Sequence, residues 1–343
     1  MTEPADVVPT IDISGWTDPT ERARIAADVD NACRRVGFLQ LLGHGVPDEV
    51  RREVRAAATA FFDLPLEEKL RYRPPSPDVN RGYAAQGSES LSYSLDAAAP
   101  PDLFEAFNIG VGAPPRPHDD PVVFSPNVWP VRPHELRLAF ERYFDAVAML
   151  ASRLTEIMAR ALDLPGEFFR DKTNASVNVL RANNYVRRAG DADPVASQQR
   201  MGPHTDYGIL TILLADPVPG LQIVGPNGQW HDVVPHSDGF VVNLGDALAV
   251  WTNDRWRSTI HRVVPPPPTE RGAARRRSFA FFHDGNLDAV MECLPTCQSA
   301  ENPARYPITT LGEHIVAKLR GPRMMRESGA VQTLGDREGV STS

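Results

Sequence analysis

The chain has 343 residues, 42% of them hydrophobic, and its 36 basic and 44 acidic side chains leave a formal charge of −8. That balance argues against nucleic acid or an anionic membrane as partner; no apolar run reaches the ~18 residues of a membrane helix, and the N-terminus, Met1-Thr-Glu-Pro4, lacks the regions of a signal peptide. Three cysteines, Cys33, Cys293 and Cys297, fit free thiols in a reducing cytoplasm better than a disulfide framework.

Residues 1–175 are expected to be mostly helical. Asp18-Pro19 supplies an N-cap and a first-turn proline for a helix reaching about Val36. A second helix is expected from Asp48 to Phe62. A third runs from Arg132 to Leu162, where Phe140, Phe144, Val147, Leu150, Leu154 and Ile157 recur at helical spacing and form a face to pack on a sheet. Between these helices, residues 73–124 are rich in Pro, Gly and Ser and read as long loops with short strands.

From Ser176 the period changes. Asn178–Tyr185 alternates apolar and polar residues, and short β-rich runs follow at 208–214, 221–224, 229–234, 239–244, 247–251, 259–264, 278–282 and 290–294. Gly225-Pro-Asn-Gly228 marks a hairpin turn. The prediction is a mainly β fold with α additions: a double-stranded β-helix (jelly-roll) core over 176–295, flanked by N-terminal helices in one integrated domain. Residues 265–275, with four consecutive prolines, should form an exposed loop. A helix is expected within 296–326, and the polar tail 327–343 should be disordered.

Chemistry concentrates in a few places. His204-Thr205-Asp206 is followed fifty-seven residues later by His261, in a β-branched run. On an extended strand His204 and Asp206 share a face, and two His with one carboxylate can occupy one face of an octahedral Fe(II), leaving three adjacent positions open. Taken singly, each of these residues is as ordinary as any surface or core histidine. Arg276 and Ser278 also share a strand face, where guanidinium and hydroxyl can hold a carboxylate. Arg275, Arg276 and Arg277 are consecutive, so only one need point inward. Asn183 and Tyr185 share a face of the preceding strand.

Further segments keep the same order: Val8-Pro-Thr-Ile-Asp-Ile13, Gly37-Phe-Leu-Gln-Leu-Leu-Gly-His-Gly-Val46, Arg81-Gly-Tyr83, Glu105–Gly110, Asn243-Leu-Gly-Asp246 and Trp251–His261. Together with the motifs above they resemble the isopenicillin N synthase-like family of Fe(II)/2-oxoglutarate-dependent dioxygenases, from Val8 to about Leu294. The resemblance implies Fe(II) on His204, Asp206 and His261, with 2-oxoglutarate and O2 as co-substrates. Arg276 and Ser278 match the pair that binds the distal carboxylate of 2-oxoglutarate, and Asn183 and Tyr185 match the element beside it. Asn184 stands where the family has a second Tyr, and Val186-Arg187-Arg188 replaces the proline usual in plant members.

The implied reaction oxidises a small, biosynthetic metabolite by hydroxylation, desaturation or ring formation, releasing succinate and CO2. Asp206, where a chloride-binding relative would carry Gly or Ala, argues against halogenation. Candidate substrate contacts are Arg81, Tyr83, Phe104, Phe107, Arg187, Arg188 and Phe282, and the arginines favour a carboxylate-bearing substrate. The expected assembly is a monomer or weak homo-oligomer. Two other readings stand beside this one: an oxidase that uses no 2-oxoglutarate and turns Arg276, Ser278 and Tyr185 to a substrate carboxylate, and a non-catalytic binding protein on the same fold.

Overall fold

Asp18 caps the first helix as its sequence suggests. Its carboxylate accepts the Thr20 amide at 2.9 Å, Pro19 fills the first turn, and α1 runs Pro19–Arg35 in the computed structural model. The structure describes residues 7–76, 79–92, 100–112, 123–186, 198–265 and 275–318. The expected tail and most of the proline loop lie outside these residues.

Helix α2 spans Asp48–Phe62 and a short α3 spans Leu66–Lys69. Helix α4, Leu136–Ala161, begins four residues later than its apolar spacing suggests. Pro133 disfavours helical geometry at Arg132, and residues 133–135 form a turn closed by the Leu136 amide on the Pro133 carbonyl at 3.2 Å. Its apolar stripe packs on the sheet as expected: Phe140 and Phe144 meet Phe279 and Phe281 edge-on at 6.4 and 5.1 Å. A short α5 follows at Arg170–Thr173.

The N-terminal region supplies four strands as well as helices: β1 (Thr10–Asp12), β2 (Phe38–Leu42), β3 (Gly82–Ala84) and β4 (Glu105–Gly110). Then come β5 (Val179–Tyr185), β6 (Met201–His204), β7 (Leu210–Ala215), β8 (Leu221–Val224), β9 (Trp230–Asp232) and β10 (Phe240–Leu244). The last are β11 (His261–Val263), β12 (Arg276–His283), β13 (Val290–Met291) and β14 (Thr309–Thr310). Among the described residues the larger sheet has the order β1-β2-β10-β7-β12-β5-β4-β3 and the smaller β6-β11-β8-β9. These two sheets form the jelly-roll core. Its main hydrophobic cluster lies between the larger sheet and the helices α1, α2 and α4.

Two local expectations change. Asp246–Trp251 is a helix, α6, where a strand was predicted for 247–251. Its buried residues Ala247, Leu248 and Trp251 follow helical spacing, with Asp246 in the first turn behind an extended Gly245. The run 290–294 pairs only over Val290–Met291, after which Pro295–Cys297 forms a 3-10 turn. The Gly225–Gly228 turn joins β8 to β9, with Gly228 at φ 74°. A helix occupies residues 311–318, and no helix among the described residues is long and apolar enough to cross a membrane. Cys33, Cys293 and Cys297 are free thiols.

Candidate active site

β6 and β11 run antiparallel with His261 opposite His204, but Val263 is opposite Met201. Two steps on β11 therefore match three on β6, a bulge over Gly202-Pro203 that places both histidines side by side. Pro203 has no amide to contribute to the ladder, and a Cβ on Gly202 would overlap Ser92 Oγ. The two imidazole centroids are 4.2 Å apart. Asp206, two residues beyond β6, brings Oδ1 to 3.9 Å from His204 Nε2 and 3.8 Å from His261 Nε2. The donor atoms of these three buried side chains all lie within 4.8 Å of one another.

The neighbours hold each donor in a metal-binding form. His204 Nδ1 faces the Gly202 carbonyl at 2.8 Å and His261 Nδ1 faces the Thr259 carbonyl at 3.1 Å. With a proton on each Nδ1, both Nε2 lone pairs turn to the common centre. Burial, then His261, pushes His204 down to about 4, so it stays neutral near pH 7. Asp206 Oδ2 accepts from Asn243 at 2.6 Å and from the Thr211 hydroxyl, leaving Oδ1 for an ion. Burial opposes the Asp206 charge, but His261, His204 and these two hydrogen bonds more than offset it and keep the carboxyl below its usual range. Thr211 and Asn243 were not given roles from the sequence. Nothing in their spacing pairs them with Asp206; β7 and β10 do so by lying adjacent.

Along the wall formed by β12 and β5, Arg276 pairs with Tyr185 and Ser278 with Asn183. The Asn183 amide reaches Ser278 Oγ at 3.4 Å. Of the three consecutive arginines, Arg275 turns out to Asn184 and Asp63, and Arg277 to Asp216 and Thr59. Arg276 alone turns in. It is 1% exposed, its guanidinium lies 5.1 Å from the Tyr185 ring centroid, and none of its three nitrogens has a hydrogen-bond partner among the described residues. Burial lowers its pKa, and an unpaired buried cation is costly enough to call for an anion. It borders a cavity of about 550 Å³ that also reaches the His204–Asp206–His261 cluster, within the size range of small-molecule sites. Three neutral or anionic donors at one end and an unpaired guanidinium at the other suit Fe(II) and a dicarboxylate.

The substrate candidates divide. Phe282 borders the cavity. Arg81 borders it too, but its guanidinium is tied to the carbonyls of Asn80, Val123 and Ser125 at 2.8, 2.5 and 3.2 Å, so it braces the loop. Tyr83 is at the cavity edge, yet its ring packs 5.9 Å from Phe61 and its hydroxyl donates to Glu105. Phe107 is core, 4.7 Å from Phe61 and 5.7 Å from Phe140, because its parity on β4 points it to the helices. Phe104 is buried behind Arg181 and Tyr185. Arg187 and Arg188 lie outside the described residues. Two cavity arginines were missed: Arg73, at the border, and Arg181, on the same face of β5 as Asn183, bound to Asn183 at 3.0 Å and to Glu89 at 2.8 Å.

A family model described as non-haem dioxygenase in morphine synthesis N-terminal matches residues 8–132, and one for the 2OG-Fe(II) oxygenase superfamily matches residues 177–285. The chain is 35% identical to the 2-oxoglutarate-Fe(II) type oxidoreductase hxnY of Emericella nidulans, over 90% of this chain and 88% of that one. It is 31% identical to homoarginine-6-hydroxylase 2-ODD-233 of Oryza sativa subsp. japonica, over 91% and 96%. A full-length Neurospora crassa protein, solved in complex with alpha-KG, matches with a TM-score of 0.80 at 30% identity, covering 92% of this chain and 97% of that one. The same Neurospora protein has been solved with alpha-KG and thymine.

Proposed function

The chain belongs to the 2OG-Fe(II) oxygenase superfamily and is a 2-oxoglutarate-dependent oxygenase, and from that premise we propose that His204, Asp206 and His261 hold Fe(II) while Arg276, Ser278, Asn183 and Tyr185 hold 2-oxoglutarate. When bound, iron and co-substrate supply oxygen activation, with succinate and CO2 released. The protein's part is to position and to exclude. The carbonyls of Gly202 and Thr259 orient the two imidazoles, and Thr211 with Asn243 fixes the carboxylate between them. Arg276 neutralises the distal carboxylate in a wall closed to water, where a charge-assisted pair is stronger than at the surface.

The observation that carries the co-substrate assignment is the fully buried Arg276 guanidinium with no hydrogen-bond partner among the described residues. Anaerobic titration of the Fe(II)-loaded protein with 2-oxoglutarate tests it, through the visible charge-transfer band of the complex. The band should appear with the wild type. It should need at least about thirtyfold more co-substrate in Arg276→Ala, the consequence of losing about 2–5 kcal/mol of buried pairing. An Arg276→Ala curve overlying the wild type would overturn the assignment.

The substrate is a small molecule, and its chemistry is not inherited with the family: relatives are named for homoarginine or bind thymine. At Arg181 a carboxylate on it would compete with Glu89, and Arg81 is bound to main-chain carbonyls, which leaves Arg73 at the cavity border as the other cation it could meet. Three unpaired thiols and a ferrous site suit a reducing cytoplasm.

A further inference from the structure

At the end of β12 the chain is pinned on both sides of one acidic residue. The Ile209 amide donates to the His283 carbonyl at 3.0 Å, and the Val177 amide donates to the Gly285 carbonyl at 2.9 Å. The Gly285 amide donates to Ser176 Oγ at 2.8 Å, with Gly285 at φ 78°. Asp284 between them is fixed at the cavity wall. Its Oδ1 lies where a Cβ on Gly208 would be, so only glycine at 208 leaves room for it.

This carboxylate makes no hydrogen bond or ion pair with any described residue. Three acidic residues among those described line the cavity, and the other two are provided for: Glu89 by Arg181, and Asp206 by Thr211, Asn243 and the proposed iron. No cation among the described residues pairs with Asp284. Burial, with the like charge of Asp206 added, pushes its carboxyl up to about 7. Loading the site does not supply the missing charge. Fe(II), the Asp206 carboxylate, the two carboxylates of 2-oxoglutarate and Arg276 balance among themselves, and neither Arg73 nor Arg81, which also border the cavity, makes an ion pair with Asp284. Tyr207, beside Gly208, and Phe282, two residues before Asp284, border the same cavity, and aromatic faces favour organic cations.

We propose that Asp284 receives a cationic group of the substrate: an ammonium, amidinium or guanidinium. The proposal rests on the iron and co-substrate reading above. Its test uses the anaerobic Fe(II)·2-oxoglutarate protein and three probes of one shape, benzylammonium, benzyl alcohol and benzoate, followed by calorimetry. The wild type should bind benzylammonium at least about tenfold more tightly than benzyl alcohol, and benzoate least. Asp284→Asn, with Asp284→Ser as a second neutral variant, should lose that preference while keeping the 2-oxoglutarate band. No binding of benzylammonium, equal binding of the alcohol, or a preference that survives both substitutions would overturn the proposal. A wild-type band that never forms overturns the co-substrate assignment instead, so the two failures are distinguishable.

Discussion

On the helix side of β5, Asn184 donates to Glu105 at 2.7 Å, and Glu105 also accepts from Lys69 at 2.7 Å and from Tyr83 at 2.6 Å. One residue on, on the cavity side, Tyr185 stands beside Arg276, whose three nitrogens find no partner among the described residues. Both sites bury a full charge: Lys69 is 0% exposed and Arg276 1%. The first is complete within the chain and ties α3 to the sheet. The second is incomplete until an anion arrives. Adjacent residues of one strand thus separate charge that holds the scaffold from charge that waits for a ligand.

Lys69→Met should break the first site most severely. It leaves Glu105 buried without its cation, at a cost of about 3–5 kcal/mol in denaturant unfolding, with 2-oxoglutarate affinity unchanged in whatever folds. A loss below about 1 kcal/mol, the range of an exposed pair, would mean that the network is hydrated and the contrast false. Arg276→Met should do the reverse. Co-substrate binding weakens, while the apo protein is at least as stable as the wild type, since a buried unpaired charge is removed. Lower apo stability would show that Arg276 has a structural partner. Asn243→Ala should weaken iron binding by about 10–100-fold, the range for a hydrogen bond behind a ligand, as read by metal titration.

The smallest effect concerns His283, a buried polar group with neither arrangement complete: Nδ1 lies 2.9 Å from Asn178 Oδ1, and Nε2 has no partner among the described residues. Burial lowers its pKa from 6.5 to about 4. Between those values the unfolded chain binds more protons than the folded one, so stability falls as pH drops through that window. The contribution is about 2 kcal/mol by pH 5. Urea unfolding at pH 7 and pH 5 should show a smaller acid loss for His283→Gln than for the wild type; identical losses would place the acid sensitivity elsewhere.

Much of this was legible because it is local or periodic. Asp18-Pro19 announces α1, the aromatic stripe announces α4, and the His204, Asp206 and His261 spacing survives folding as a single cluster. What was not legible depends on parity and on neighbours far away in sequence. Three consecutive arginines look alike until β12 pairs with β5 and turns Arg276 inward. Phe107 and Phe282 read equally well as pocket residues, and only the side of the sheet separates them. Asp246–Trp251 is too short for its period to distinguish helix from strand. Asp284 carries no motif at all; its significance comes from the company it lacks.

The extra residue at Gly202-Pro203 has a consequence for how such sites are gained and lost. Were β6 to pair evenly from Met201 with all its residues kept, Pro203 would stand opposite His261 and His204 would turn to the far side of the smaller sheet. Every ligand would still be in the chain, and both sheets would keep their strand order, but the donors would no longer converge. Aligning the letters His204, Asp206 and His261 in a homologue is therefore not enough. The uneven pairing at Gly202-Pro203 must be kept with them, because in this chain it is what turns His204 to the side of His261.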